Sequence, residues 1–88
     1  MKKIRKAAAL KYEQGYESPI VAAQGVGYVA EKIVEKADEN DVPIVYNKEM
    51  ADLLTNVDVG DSIPEELYAA VAEIMAHIME IDRDAKGR

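Results

Sequence analysis

The sequence predicts an α/β fold, a small three-stranded mixed sheet in the order β-β-α-β-α-α with helices packed on its faces. Three observations predict it. Short apolar runs without helical period stand at 7–12, 20–23 and 42–46. Between and after them, apolar residues recur at helical spacing. The chain of 88 residues allows one domain with a small core, hiding about 60–65% of its unfolded surface.

Ala7 to Tyr12 is apolar, lacks Gly and Pro, and reads as the first strand. Gly15 and Pro19 mark a turn after it. Ile20-Val21-Ala22-Ala23 is the second strand, and a hairpin at Gly15 would pair the two antiparallel. Val26, Ala30, Ile33, Val34 and Ala37 then form one face of a helix that stops near Asn40. Val42 to Tyr46 reads as a third strand, with Pro43 tolerated near its start. Joined to the second strand through the helix, it would make a right-handed parallel crossover.

Met50, Leu53 and Leu54 share the apolar face of a short second helix over 48–55. Residues 56–61 connect it to Ser62-Ile63-Pro64-Glu65, which matches a capping box with Pro in the first turn. Leu67, Val71, Ile74, Met75 and Ile78 form the stripe of a last helix running to about Ile81.

Composition excludes several functions. There is no cysteine, hence no disulfide, thiol nucleophile or zinc-thiolate site. The net charge of −6, from 17 acidic and 11 basic residues, argues against nucleic-acid binding, which rests on excess Lys and Arg. The basic start Met1-Lys2-Lys3-Ile4-Arg5-Lys6 precedes an apolar run that ends at Lys11, too short for a signal-peptide core of about 7–15 residues. It reads as a solvated end. No stretch approaches the ~20 apolar residues of a membrane span, so no membrane insertion is expected and the cytoplasm is the default compartment.

Candidate chemistry is sparse. Gly25-Val26-Gly27-Tyr28-Val29-Ala30 follows a strand and opens a helix, as a dinucleotide-binding turn does. No acidic residue ends the next strand, and no second mononucleotide-binding half exists. Small-ligand or nucleotide binding through Gly25–Ala30 stands as the alternative function. The plainer reading is that these glycines let helix and strand approach closely. His77 is the sole histidine, lies off the apolar stripe, and has no nucleophile placed by spacing. Asp58 and Asp61 are two carboxylates where calcium takes about six to eight oxygens. Neither catalytic residues, a metal nor a cofactor is expected, and the chain is read as not an enzyme. The five tyrosines, the only aromatics, close a small core or line a docking groove.

Ala9-Leu10-Lys11-Tyr12, Ser18-Pro19-Ile20-Val21-Ala22-Ala23-Gln24-Gly25 and Val42-Pro43-Ile44-Val45 occur in that order. Val59-Gly60-Asp61-Ser62-Ile63-Pro64-Glu65-Glu66-Leu67-Tyr68-Ala69-Ala70-Val71-Ala72-Glu73 follows. The series, over about Ala7 to Ile81, resembles the cytoplasmic C-terminal domain of the FlhB/YscU family, the export-switch proteins of flagellar and type III secretion systems. Gly60-Asp61-x-Ile63-Pro64-x-x-Leu67-Tyr68 is its most specific part. The resemblance implies residues 7–81 as a single FlhB C-terminal-like domain, flanked by the basic segment 1–6 and a polar tail 82–88. It implies a cytoplasmic position, peripheral at the export apparatus on the inner face of the membrane. Protein components or substrates of that apparatus are the implied partners, with a part in recognising substrates or switching export specificity.

Two departures from the family pattern bear on function. Relatives cleave themselves at Asn-Pro-Thr-His, where the Asn side-chain amide attacks its own backbone carbonyl. The matching positions here are Lys2-Lys3-Ile4-Arg5, and no asparagine in the chain precedes a proline. No self-cleavage is expected, and the chain reads as a free-standing form without the membrane region. Relatives also carry a Pro-Leu-Ala-Arg type segment after the third strand. Here Lys48-Glu49-Met50-Ala51-Asp52 replaces its positive charge with a negative one. The partner-binding candidates are therefore Tyr12 and Tyr16 near the hairpin, and Lys48, Glu49, Met50 and Asp52 at the altered segment.

Overall fold

The computed structural model describes residues 5–86. Residues 1–4 of the expected basic segment and 87–88 of the expected tail lie outside the described residues. β1 (Lys6–Lys11) and β2 (Ile20–Val26) form an antiparallel pair. The loop between them turns at Gly15, where φ is +95° and a Cβ is disfavoured. The expected hairpin is present, and β2 runs three residues past its predicted end.

Alternation along β1 assigns the two faces of the pair. Ala8 and Leu10 point with Val21 into a core of Val21, Leu54, Ile63, Leu67 and Val71. Ala7 and its partner Gly25 face the other way, toward α1 (Tyr28–Glu39), which packs across both strands. Gly25 is required there, because a Cβ would overlap the Val29 side chain. α2 (Lys48–Leu54) packs against β1. Its N-cap is Asn47, whose side chain accepts from the Met50 N–H at 3.0 Å. α3 (Tyr68–Lys86) follows a 3₁₀ turn at Glu65–Leu67 and buries Val71.

Among the described residues the sheet has two strands, not three. Val42 to Tyr46 is not paired, and Tyr46 is 79% exposed. The outer edge of β2 is closed to it. That edge is already taken by 60–63: the Val21 N–H donates to Asp61 O (2.9 Å), the Gly60 N–H to Val21 O (2.8 Å), and the Ile63 N–H to Pro19 O (3.1 Å). With that edge filled and no N–H on Pro43, the expected parallel crossover does not form. The same pairing corrects the capping box. Ser62 is drawn into an isolated bridge with Ile20, so Pro64 rather than Ser62 precedes the helical turn, and no side chain caps it.

Candidate functional site

The hairpin loop and α3 together build an apolar groove of about 320 Å³, lined by Tyr12, Glu17, Ser18, Pro19, Tyr68, Ala72, Met75 and Ala76. Each wall is fixed by an element already described. Pro19 is held by its carbonyl to Ile63. Tyr68, Ala72, Met75 and Ala76 fall at i, i+4, i+7 and i+8 on α3, one continuous face. That face lies beside the stripe of Leu67 and Val71 that enters the core. The alanines keep the groove open between two tyrosines that are themselves exposed, Tyr12 at 54% and Tyr68 at 42%. Tyr16 does not line the groove. It meets Tyr12 edge to face, with ring centroids 6.4 Å apart, and the Tyr16 N–H donates to Glu13 O at 3.0 Å. Tyr16 thus orients the Tyr12 ring. Glu17 is the one charged lining residue.

The four candidates on α2 sit elsewhere. Asp52 forms ion pairs with Lys6 at 3.2 Å and Lys48 at 3.5 Å. The Lys6 ammonium, with help from Lys48, holds the Asp52 carboxyl below the ordinary aspartate range. Met50 packs against the core, and Glu49 is exposed in the first turn of the helix. Lys6 opens β1 and Tyr12 follows its end, so about 20 Å of strand separates the two groups. The altered segment therefore belongs to how α2 meets β1, and the sequence candidates do not form one site. Sequence reasoning missed Ser18, Pro19, Tyr68, Ala72, Met75 and Ala76 as a set. The signal was present in the small and aromatic residues at helical spacing next to the apolar stripe.

Both glycines of the dinucleotide-like turn are engaged with β1 and its lead-in. Gly25 is inside the strand ladder opposite Ala7, and the Gly27 N–H donates to Arg5 O at 2.7 Å. Glu31 places a negative charge in the first turn of α1, where a phosphate would need positive potential. Among the described residues no cluster of three or more His, Asp or Glu is placed to hold a metal. No described helix is long and apolar enough to cross a membrane.

Comparison with known proteins gives the family. The model of the FlhB HrpN YscU SpaS family matches residues 4–78. The chain belongs to that family. The uncharacterized protein YlqH of Bacillus subtilis (strain 168) is 42% identical over 86 residues, covering 97% of this chain and 92% of YlqH. The flagellar biosynthetic protein FlhB of Aquifex aeolicus (strain VF5) is 44% identical over 75 residues, 83% of this chain and 21% of that protein. The chain thus spans about a fifth of the length of such FlhB relatives. The crystal structure of the cytoplasmic domain of FlhB from Shewanella putrefaciens superposes with a TM-score of 0.87 at 34% identity. It covers 94% of this chain, which in turn covers 69% of that domain. The PscU C-terminal domain superposes with a TM-score of 0.77 at 25% identity. The shared fold is therefore that of an FlhB-type C-terminal domain.

Proposed function

We propose that this chain is a non-enzymatic docking module of flagellar or type III protein export, working at the cytoplasmic face of the apparatus and not cleaving itself. Family membership supports the export role. The observation that carries the docking role is the groove between Tyr12 and Tyr68. At about 320 Å³ it lies at the small end of binding pockets, which span about 300–1,000 Å³. It suits about one or two apolar side chains of a short protein segment better than a cofactor. Tyrosine is a favoured anchor at protein interfaces, since its rigid ring buries area with little loss of freedom. Glu17 on the rim favours a segment whose neighbours are neutral or basic. The segment comes from an export substrate or an apparatus component.

The test is affinity capture from the cytoplasm of the native host, with the unaltered chain and Ala72→Glu as paired baits. Ala72 is exposed, so the variant keeps the fold while placing a charge in the groove. Hook, rod or ruler components should be retained by the unaltered chain and weakened about tenfold or more, about 1.4 kcal/mol, by the variant. Capture of no export component, or equal capture by both baits, would overturn the reading.

A further inference from the structure

Both walls of the groove come from stretches of sequence without Lys or Arg. Residues 12–31 supply the hairpin-loop wall and residues 49–82 supply the α3 wall. Together they contain twelve of the chain's 17 acidic residues and none of its 11 Lys and Arg. Several of these carboxylates stand where a bound segment would pass. Glu17 lines the groove itself. Glu73 follows Ala72 by one residue, so it borders the lining face of α3, and it is exposed. Glu65 lies one 3₁₀ turn before Tyr68, where side chains three apart nearly eclipse, and it too is exposed. Lys11, next to Tyr12, is engaged with Glu13 at 3.6 Å. Of the three carboxylates Glu17 is the one held in place. The Tyr16 N–H closes a turn onto Glu13 O at 3.0 Å, and the Ile63 N–H holds Pro19 O at 3.1 Å. Ser18 is buried. Glu17 therefore leaves the chain between two fixed points, and among the described residues it has no ion-pair partner.

We infer that the groove selects its partner by charge as well as by shape: it takes an apolar side chain flanked by Lys or Arg in a segment of another protein, and Glu17 is the residue that chooses the flank. The inference rests on the groove being a docking site, and it adds the class of segment docked and the residue that sets the choice. An apolar lining separates one apolar side chain from another only weakly, so discrimination falls to the rim. An anchor buried in the groove leaves its neighbours on that rim, in contact with solvent. A Lys or Arg there comes within reach of a carboxylate already fixed in position, and the field of Glu65 and Glu73 draws it in. An acidic or phosphorylated flank meets three carboxylates with no lining cation to offset them, and like charges facing each other suppress the wrong partner. The chain's own Lys3-Ile4-Arg5 has the favoured pattern. It sits at the far end of β1 from the groove, so only a second copy could present it.

The experiment pans a displayed library of short random peptides against the intact chain, with Glu17→Gln and Ala72→Glu as parallel baits. Both positions are exposed, and circular dichroism checks that each variant keeps its helices. Peptides enriched on the unaltered chain should carry Lys or Arg next to an apolar residue. Glu17→Gln should keep the apolar residue and lose the preference for a basic neighbour. Ala72→Glu should enrich no peptide with an apolar anchor. For one enriched peptide in solution, Glu17→Gln should weaken binding about two- to fivefold. Exchanging the peptide's basic residue for Gln should cost the unaltered chain as much, and the Glu17→Gln variant nothing further. The two ways of failing are separable. If no peptide is enriched, or Ala72→Glu enriches the same apolar peptides, the groove is not a docking site and both readings fall. If apolar peptides are enriched without a basic preference, or that preference survives Glu17→Gln, the groove stands and the charge selection is overturned. Sedimentation of the chain alone as an oligomer that Glu17→Gln dissociates would make a second copy the occupant, and would overturn the assignment to another protein.

Discussion

Along the outer edge of β2, Pro19 and Val21 exchange three backbone hydrogen bonds with residues 60–63. Along the outer edge of β1, no strand pairs among the described residues. Exposed sheet edges invite pairing with other chains, and proteins ordinarily blunt them with charge, proline or a covering segment. Here one edge is covered and the other carries charge only at its ends. The covering segment also lies in Gly60 to Tyr68, the stretch on which the resemblance drawn from the sequence rests most. Its work is double: Ile63 seals the edge of β2, and the helix that follows brings Tyr68 over the hairpin loop. Sealing one edge and building the groove are thus a single structural event, and variants at the two edges should differ accordingly.

The largest difference is expected at Ile63, which is 2% exposed within the core. Ile63→Ala should cost about 2–5 kcal/mol, a large share of the total for a chain of this size. Lys11→Gln, at the end of the open edge, should change stability by less than about 0.5 kcal/mol. Urea denaturation of both variants measures the contrast. Equal losses would mean that the two edges contribute alike.

Next in size is Gly25→Ala. Its Cβ would stand 2.8 Å from Val29 Cβ, so α1 must move off the sheet, at a cost of about 1–3 kcal/mol. This separates a packing glycine from a ligand-binding one. A variant of unchanged stability that loses affinity for a dinucleotide would restore the nucleotide reading.

Those two residues show how far the sequence can be read. Ile63 was legible as part of the family motif, though not as the seal of a sheet edge. Its neighbour Ser62 matched a capping box by spacing, but edge pairing overrode that local preference. Gly25 was legible as a close-approach glycine because a strand-to-helix turn demands one. The helices were legible from period, since each buries a stripe of its own. Val42 to Tyr46 misled because strand propensity describes a fit to a neighbour, and whether the neighbour's edge is vacant is a property of the whole fold. Tyr12 was found and Tyr68, Ala72 and Ala76 were missed for a related reason. Sequence period identifies the face that enters a core more readily than the face beside it that forms a groove with a distant loop.

A smaller effect sharpens the comparison at its turn. Gly60 has φ +97° and donates to Val21 O, and its missing Cβ would meet nothing within 4 Å. Gly60→Ala should therefore cost only the strain of a positive φ, about 1–2 kcal/mol. Gly15, in the hairpin loop, has φ +95° and equally open surroundings, so Gly15→Ala carries the same strain without touching an edge. Any excess loss in Gly60→Ala over Gly15→Ala reports the seal itself. Thermal melts of the pair measure it.

The smallest effect belongs to Asp52, the anchor of α2 beside the open edge. Its carboxylate accepts from Lys6 on β1, and this bond, assisted by Lys48 and opposed by partial desolvation, keeps it ionised to lower pH than an ordinary aspartate. A folded pKa below the unfolded one means that the folded chain holds fewer protons there across the window between the two values. The stabilisation is therefore complete above the ordinary aspartate range and disappears as pH falls through the lowered value. Asp52→Asn should lower the melting temperature slightly at neutral pH, and the difference from the unaltered chain should close in acid. Because Lys6 and Asp52 are each about 40% exposed, added salt should shrink the difference as well. A difference that persisted unchanged in acid or high salt would mean that Asp52 holds α2 by shape rather than by charge. The altered segment would then have no electrostatic part in keeping α2 against the open strand.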